Sequence, residues 1–236
     1  MNKYSVESEL GKGAQHNVGR IGNKKLIKYP HLWGRLWDKS NADTVRNDLD
    51  LHKEWNLPIP EAFVIANPII DTGKKIVRPP YAIIIEEVAG RVFREVDLDN
   101  PTIKDHVTDI TERSLKLRSK KNKAVDFLGG EAFGQFLNFI FCEKRPGMLG
   151  AYNLIINTRE QVVLIDTNLL DPSRAPFGRT GLIDRLIDMQ HGLLTELLKE
   201  PTLIESCRTG NKSVFITKLA SFMYRYSRKI EAKRKS

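Results

Sequence analysis

Asn153-Leu154-Ile155-Ile156-Asn157, the polar turn Thr158-Arg159-Glu160-Gln161, and Val162-Val163-Leu164-Ile165-Asp166 together decide how this chain is read. Two short apolar runs joined by a polar turn predict a pair of strands, 154–157 and 162–165. An amide enters the first strand and a carboxylate leaves the second. Such a hairpin brings both side-chain oxygens to one end. Hard oxygens in so small a group suit Mg²⁺, which needs few protein ligands. A capping asparagine and a surface aspartate are the plain alternative, and the surrounding sequence chooses between the two.

Working outward toward the N-terminus, Leu10-Gly11-Lys12-Gly13-Ala14-Gln15-His16-Asn17-Val18 separates two strand-like segments, 4–10 and 17–21. Glycines in such a hairpin let backbone N–H groups approach phosphate oxygens with no Cβ in the way. Because a strand follows and not a helix, this is no dinucleotide fingerprint. Gly22-Asn23 predicts a tight turn into a third strand, 25–29. Lys28 lies within it, in Leu26-Ile27-Lys28-Tyr29, where a point charge among apolar neighbours can face a cleft and hold a phosphate, an edge-strand lysine facing water being the plain alternative. A helix is expected over 41–55 with Asn41 or Asp43 as its cap, ended by Leu57-Pro58-Ile59-Pro60. Residues 62–66 and 81–87 read as further strands, followed by a turn at Val88-Ala89-Gly90-Arg91.

From Asn100 onward the pattern becomes helical. Helices are expected over 101–117, 127–143, 182–198 and 213–229, on the spacing of their apolar residues. Strands first and helices afterwards predict an α+β protein with two lobes, 1–87 and 88–236, and a cleft between lobes is a favoured ligand site.

Composition narrows the class. With 41% apolar and 28% charged residues, the 236-residue chain has the make-up of a folded soluble protein. The N-terminus turns acidic where a signal peptide would turn apolar, and no run reaches the length of a membrane span, so a cytoplasmic protein is expected. Two cysteines, Cys142 and Cys207, make neither a disulfide framework nor a zinc cage alone. His31, His52, His106 and His191 show no metal-ligand spacing and read as structural. Lysine and arginine outnumber aspartate and glutamate 38 to 29, giving +9. The excess gathers between Arg113 and Lys123 and in the tail from Arg225 to Lys235. These read as a solvated loop and a frayed end, able at most to make weak contact with a polyanion.

Glycine loop, strand lysine, the run YAIIIEEVAG over 81–90, and Asn153 and Asp166 thirteen residues apart resemble, in order, the protein-kinase and aminoglycoside-phosphotransferase superfamily. The resemblance implies an N-lobe made of an antiparallel sheet with one helix, and a mainly helical C-lobe. It implies ATP and Mg²⁺ as cofactors. Gly11, Gly13 and Val18 match the glycine-loop positions, with His16 where a third glycine is usual. Lys28 matches the lysine of the third strand. The backbone of Glu87 and Val88 would meet the adenine edge. Asn153 and Asp166 match the metal ligands, and Lys28 and Asp166 the catalytic pair. Asp48, Asp50 and Glu54 are candidates for the helix acid that pairs with the lysine, and spacing favours Asp48.

The departures are as informative. The family places an aspartate five residues before the metal-binding asparagine, to accept the hydroxyl proton. Met148 stands there, and no acid lies between Glu143 and Asn153. Methionine cannot take a proton. Asp-Phe-Gly reads Asp166-Thr167-Asn168. Three functions therefore stay open. One is an atypical phosphotransferase acting on a hydroxyl of an unknown protein or small molecule, with transfer of AMP as a variant. The second is a pseudokinase that binds nucleotide as a switch or scaffold. The third is a nucleic-acid-binding protein using the basic segments, against which no recognition motif is found.

Overall fold

The structure, a computed structural model, describes residues 2–12, 16–31, 40–129, 153–174 and 180–200, together with positions 217, 221, 224, 225 and 228. The strands are β1 (Lys3–Ser5), β2 (Ser8–Lys12), β3 (His16–Arg20), β4 (Lys25–Pro30), β5 (Ala62–Ala66), β6 (Ile69–Asp71), β7 (Ile76–Val77), β8 (Tyr81–Glu86), β9 (Gly90–Val92), β10 (Ala124–Val125), β11 (Leu154–Asn157), β12 (Val162–Leu164) and β13 (Leu169–Leu170). The helices are α1 (Ala42–Glu54), α2 (Pro101–Lys121) and α3 (Thr180–Lys199). The architecture is α+β and its largest element is a five-stranded antiparallel sheet of order β2-β3-β4-β8-β5.

Strand β8 shows why the sequence folds this way. Its first five residues, Tyr81 to Ile85, are all buried, the pattern of a strand covered on both faces. Ala82 and Ile84 pack with Ile27, Tyr29, Ile65 and Ile70 on one face. Tyr81 and Ile83 pack with Ala42 and Val45 of α1 on the other. Register then places the polar residues. Gly11 pairs with Val18, Val18 with Lys28, and Lys28 with Ile83. Directly opposed residues point to one face of a sheet. Gly11, Val18 and Lys28 therefore form a single row on the face that α1 covers.

Asn41 caps α1 through a reciprocal box with Thr44: Asn41 Oδ1 accepts from Thr44 N at 2.9 Å, and Thr44 Oγ1 accepts from Asn41 N at 3.2 Å. Of the two expected caps, Asn41 is the one used. Helix α2 starts with Asn100 as cap and Pro101 at its first position, and it ends at Asn122 in the left-handed region (φ 57). It runs one turn past the expected end, where Arg118, Lys120 and Lys121 favour the negative end of the helix dipole. Helices α2 and α3 and strands β11 and β12 enclose the largest buried cluster, centred on Phe93, Ile110, Phe127, Leu154 and Leu193. Among the described residues no helix is long and apolar enough to cross a membrane.

Several expectations are corrected. The single strand over 4–10 is two. Val6 N donates to Asp71 O and Glu7 N to Arg20 O, so the chain leaves β6 for β3 between these residues. The turn after β3 takes its positive φ values at Gly22 (145) and Lys24 (59), not at Asn23. The basic run from Arg113 is helical rather than a loop. Arg118 within it is buried, donating to Asn122 and Asp184. Phe127 and Leu128 are not helical, and the rest of that expected helix, residues 130–143, lies outside the described residues. So does most of the helix expected over 213–229.

Gly90 opens β9 instead of forming a turn. A Cβ there would sit 2.2 Å from Ile156 O and 2.8 Å from Ile155 Cγ2. Glycine alone lets β9 lie against β11, where Gly90 pairs with Asn157. Gly90→Ala is expected to lower unfolding free energy by about 1–3 kcal/mol, the usual cost of overpacking. Urea unfolding would show it as a lower midpoint at unchanged slope.

Candidate active site

Lys28 projects from the middle of β4, and its Nζ donates to Asp166 Oδ1 at 2.6 Å. Both side chains are mostly covered, 14% and 19% exposed. Asn168 N also donates to Asp166 Oδ1, at 3.2 Å. Burial alone would raise the Asp166 carboxyl. The Lys28 charge and hydrogen bond outweigh it and hold Asp166 below the usual carboxylate range.

Asn153 stands beside Asp166 because Ile165 N donates to Asn153 O at 3.0 Å, closing the hairpin of β11 and β12. The backbone thus brings Asn153 opposite Ile165, the residue before Asp166, at one hairpin end. Asn153 Nδ2 donates to Asp126 O at 2.8 Å, and Asn153 N donates to Phe127 O at 3.3 Å. The amide oxygen takes no part in these contacts.

These bonds lead to a residue the sequence reading missed. Strand β10 pairs with β13, Val125 opposite Leu169 and Ala124 opposite Leu170, and the residue leaving β10 is Asp126. Its Oδ1 accepts from Gln190 Nε2 at 2.8 Å and from Gly129 N at 3.0 Å. Gln190, buried on α3, also accepts from Phe127 N at 2.7 Å and Leu128 N at 3.3 Å. One amide thus holds both the carboxylate and the backbone after it. Gly129 has φ +65, and a Cβ there would lie 3.4 Å from the Asn153 amide, so glycine suits both the turn and the close approach. Burial, and then the negative charge of Asp166, push the Asp126 carboxyl up to about 6. Asp126 thus lies near enough to Asp166 and Lys28 to feel both charges.

The Asp126 segment rests on a second buried support. His191 Nδ1 donates to Ile187 O at 3.0 Å, and His191 Nε2 meets Ser114 Oγ at 2.8 Å. Ser114 Oγ accepts from Val125 N at 3.0 Å, which leaves its own proton for Nε2. Burial keeps His191 neutral, so with Nδ1 donating to Ile187 O the Nε2 accepts from Ser114. Burial, with a push from Arg118, lowers its pKa to about 4.

The remaining expected residues fall as follows. Gly11 lies on β2, and a Cβ there would meet nothing within 4 Å. Its row-mate Val18 is half-buried. His16, where a third glycine was expected, heads β3 with its ring buried. Its Nε2 lies 3.0 Å from Tyr81 Oη and 3.5 Å from Asn168 Nδ2. Burial and the Lys28 charge lower its pKa to about 3. Glu87 and Val88 follow β8, half-buried. Glu87 N is already committed to Lys24 O at 2.9 Å, and the Glu87 side chain pairs with Arg20. Asp50 and Glu54 are exposed. Asp48, expected beside Lys28, is buried and instead binds Arg174 and Lys123; Asp166 is the acid recorded on the lysine. Gly13 and Met148 lie outside the described residues.

One signal for Asp126 was present in the sequence. Ala124-Val125-Asp126 repeats in miniature the form of Leu164-Ile165-Asp166, an apolar strand running into an aspartate. The 27 positions between Asp126 and Asn153 hide it, where the resemblance expects five.

Compared with family models and with curated protein sequences, the chain matches none. It is similar to several solved structures. The GDP complex of wild-type aminoglycoside 2'-phosphotransferase-IIIa is 10% identical, with a TM-score of 0.34 over 94% of this chain and 92% of that one. An aminoglycoside phosphotransferase from Alicyclobacillus acidocaldarius is 10% identical, with a TM-score of 0.33 over 96% and 93%. Choline kinase from Cryptosporidium parvum is 12% identical, with a TM-score of 0.29 over 98% and 89%. Likenesses of this depth say nothing of what this chain binds or does.

The neutral His191 carries a pH signature. The unfolded chain protonates this ring near 6.5, the folded chain only near 4. Above pH 6.5 the contribution is fully present. As pH falls from 6.5 to 4 the unfolded state binds the extra proton, and stability drops by about 1.4 kcal/mol per unit, about 3 kcal/mol in all. His191→Gln is expected to flatten the acid side of a stability-against-pH curve by that amount. An unchanged slope would contradict the assignment.

Proposed function

We propose that the protein is a Mg²⁺-dependent phosphotransferase with ATP as donor and a hydroxyl as acceptor, and that Asp126 is its general base. The observation that carries this reading is the placement of Asp126. Its carboxylate is oriented by Gln190 and Gly129, and it shares the site with Asp166 and Lys28 while Asn153 holds its backbone carbonyl. The missing acid at Met148 would then be no loss, because a chain segment farther back supplies it.

The residues fit a divalent cation. Asp126 and Asp166 outweigh Lys28 by one negative charge, and the Asn153 oxygen is a hard, neutral donor beside them. In this reading Asn153 and Asp166 hold Mg²⁺, which neutralises charge on the transferring phosphoryl group. Lys28 orients Asp166 and reaches the phosphate tail. Gly11 and Val18 lie under the nucleotide, with Gly13 following in sequence, and the Glu87 carbonyl and Val88 backbone meet its base. Residues 1–87 form the nucleotide side and residues 88–236 the acceptor side.

Asp126 acts on the acceptor. Its Oδ1 already accepts two hydrogen bonds, so the proton goes to Oδ2. As the acceptor oxygen bonds to the γ-phosphorus, the bond from that phosphorus to the bridging oxygen breaks and ADP leaves. A carboxyl near 6 is poised to take a proton at neutral pH. Phosphoryl transfer is mostly positioning and charge neutralisation, so residual turnover without the base is expected.

Two variants separate binding from chemistry. Asp166→Asn should abolish the Mg²⁺-dependent part of the ATP-induced thermal shift. Asp126→Asn should keep that shift and lower ATP turnover by roughly 10²- to 10⁴-fold. Wild-type turnover in Asp126→Asn would sink the role of Asp126. No thermal shift at millimolar MgATP in the wild type would sink the whole reading.

A further inference from the structure

Asp48 lies on α1 with no exposed surface, and four bonds converge on its carboxylate. Arg174 Nη2 donates to Oδ1 at 2.5 Å and to Oδ2 at 2.7 Å. Lys123 Nζ donates to Oδ1 at 3.0 Å, and Leu169 N to Oδ2 at 3.2 Å. Asp171 completes the cluster, 3.5 Å from Lys123 Nζ and 3.2 Å from Arg174 Nε. Arg174 Nη1 also donates to Ser40 Oγ at 3.1 Å, just before α1. Two acids meet two bases, so the buried charges balance.

The partners occupy telling positions. Lys123 immediately precedes β10, whose next residue after the strand is Asp126. Leu169 opens β13, three residues beyond Asp166. The ladder joining these strands has only two residue pairs, far too few to hold itself. Asp48 grips β10 through the residue before it and β13 through its first residue, each three positions from a carboxylate, and it ties both strands to a helix that packs on the main sheet.

We infer that Asp48 is a positioning residue: through Lys123, Leu169 N and Arg174 it fixes Asp126 and Asp166 relative to α1 and hence to Lys28. Helix α1 is thus pinned to the segment after Asp166 rather than to the strand lysine. Displacing the helix would move both carboxylates together. The catalytic meaning of this anchor rests on the phosphotransferase reading; the anchoring itself does not.

Arg174→Gln removes the two shortest bonds to Asp48 and leaves the Lys123 and Leu169 contacts in place. Arg174→Lys keeps the charge and tests rescue. Both are compared with wild type by hydrogen–deuterium exchange without nucleotide, and by calorimetric titration of ATP with and without Mg²⁺, after circular dichroism shows them folded. In Arg174→Gln, exchange over 123–129 and 165–171 is expected to rise at least about tenfold, the scale of one lost charged hydrogen bond, with β4 and β8 unchanged. The Kd for MgATP is expected to rise by a similar factor while Mg²⁺-free ATP binding holds, and Arg174→Lys should recover part of both. A folded Arg174→Gln protein with wild-type exchange in both segments would overturn the inference. Faster exchange there, in a protein whose wild type shows no Mg²⁺-dependent ATP binding, would uphold the anchor and remove the phosphotransferase reading instead. Should Arg174→Gln fail to fold, Lys123→Met is the second variant, with the same expected and overturning outcomes.

Discussion

The ion pair between Lys28 and Asp166 joins residues 138 positions apart at 2.6 Å, and the site depends on it. Lys28 belongs to the five-stranded sheet, Asp166 to the hairpin of β11 and β12. A mostly buried ion pair gains little by itself, because desolvation offsets most of the attraction. Its value here is geometric. Once it is formed, the Asn153 amide, the Asp126 carbonyl and the β10–β13 ladder all follow from bonds only a few residues away.

The carboxylates are made different by their surroundings. Asp166 faces a lysine and a backbone N–H, and its ionised form is favoured. Asp126 is buried and feels the negative charge of Asp166, and these raise its carboxyl to about 6 against the lowering pull of its two hydrogen bonds. Pairs of acids driven apart in this way are the usual means by which one site both holds charge and moves a proton. Gln190 and His191 on α3 carry the weight behind Asp126, and Asp48 on α1 carries it from the other side. The cluster of Asp126, Asp166 and Lys28 is thereby held by two helices and a sheet rather than by loops alone.

Legibility in the sequence followed the range of the contacts. The hairpin of Asn153 and Asp166 could be read because its pattern is local: apolar strand, polar turn, apolar strand. The strands that carry Gly11, Val18 and Lys28 were readable for the same reason, whereas the register that sets the three in one row was not. Asp126 was not, since its link to Asn153 spans an intervening stretch of unusual length and no short pattern reports it. The roles of Asp48 and Arg174 were equally hidden. Spacing along α1 pointed to Asp48, but its partners Arg174 and Lys123 lie 126 and 75 positions away, beyond the reach of any local pattern. Gly90 was read as a turn because a glycine that permits close strand approach looks, in sequence, like a glycine that permits a bend.

The most direct test is a crystal structure with Mn²⁺ and a non-hydrolysable ATP analogue, using anomalous scattering to place the metal. The account predicts a manganese ion bound by the oxygens of Asn153 and Asp166, the phosphate tail against Lys28, and the Asp126 carboxylate facing the terminal phosphoryl group. A metal elsewhere, or a nucleotide that leaves Lys28 and Asp166 untouched, would contradict it.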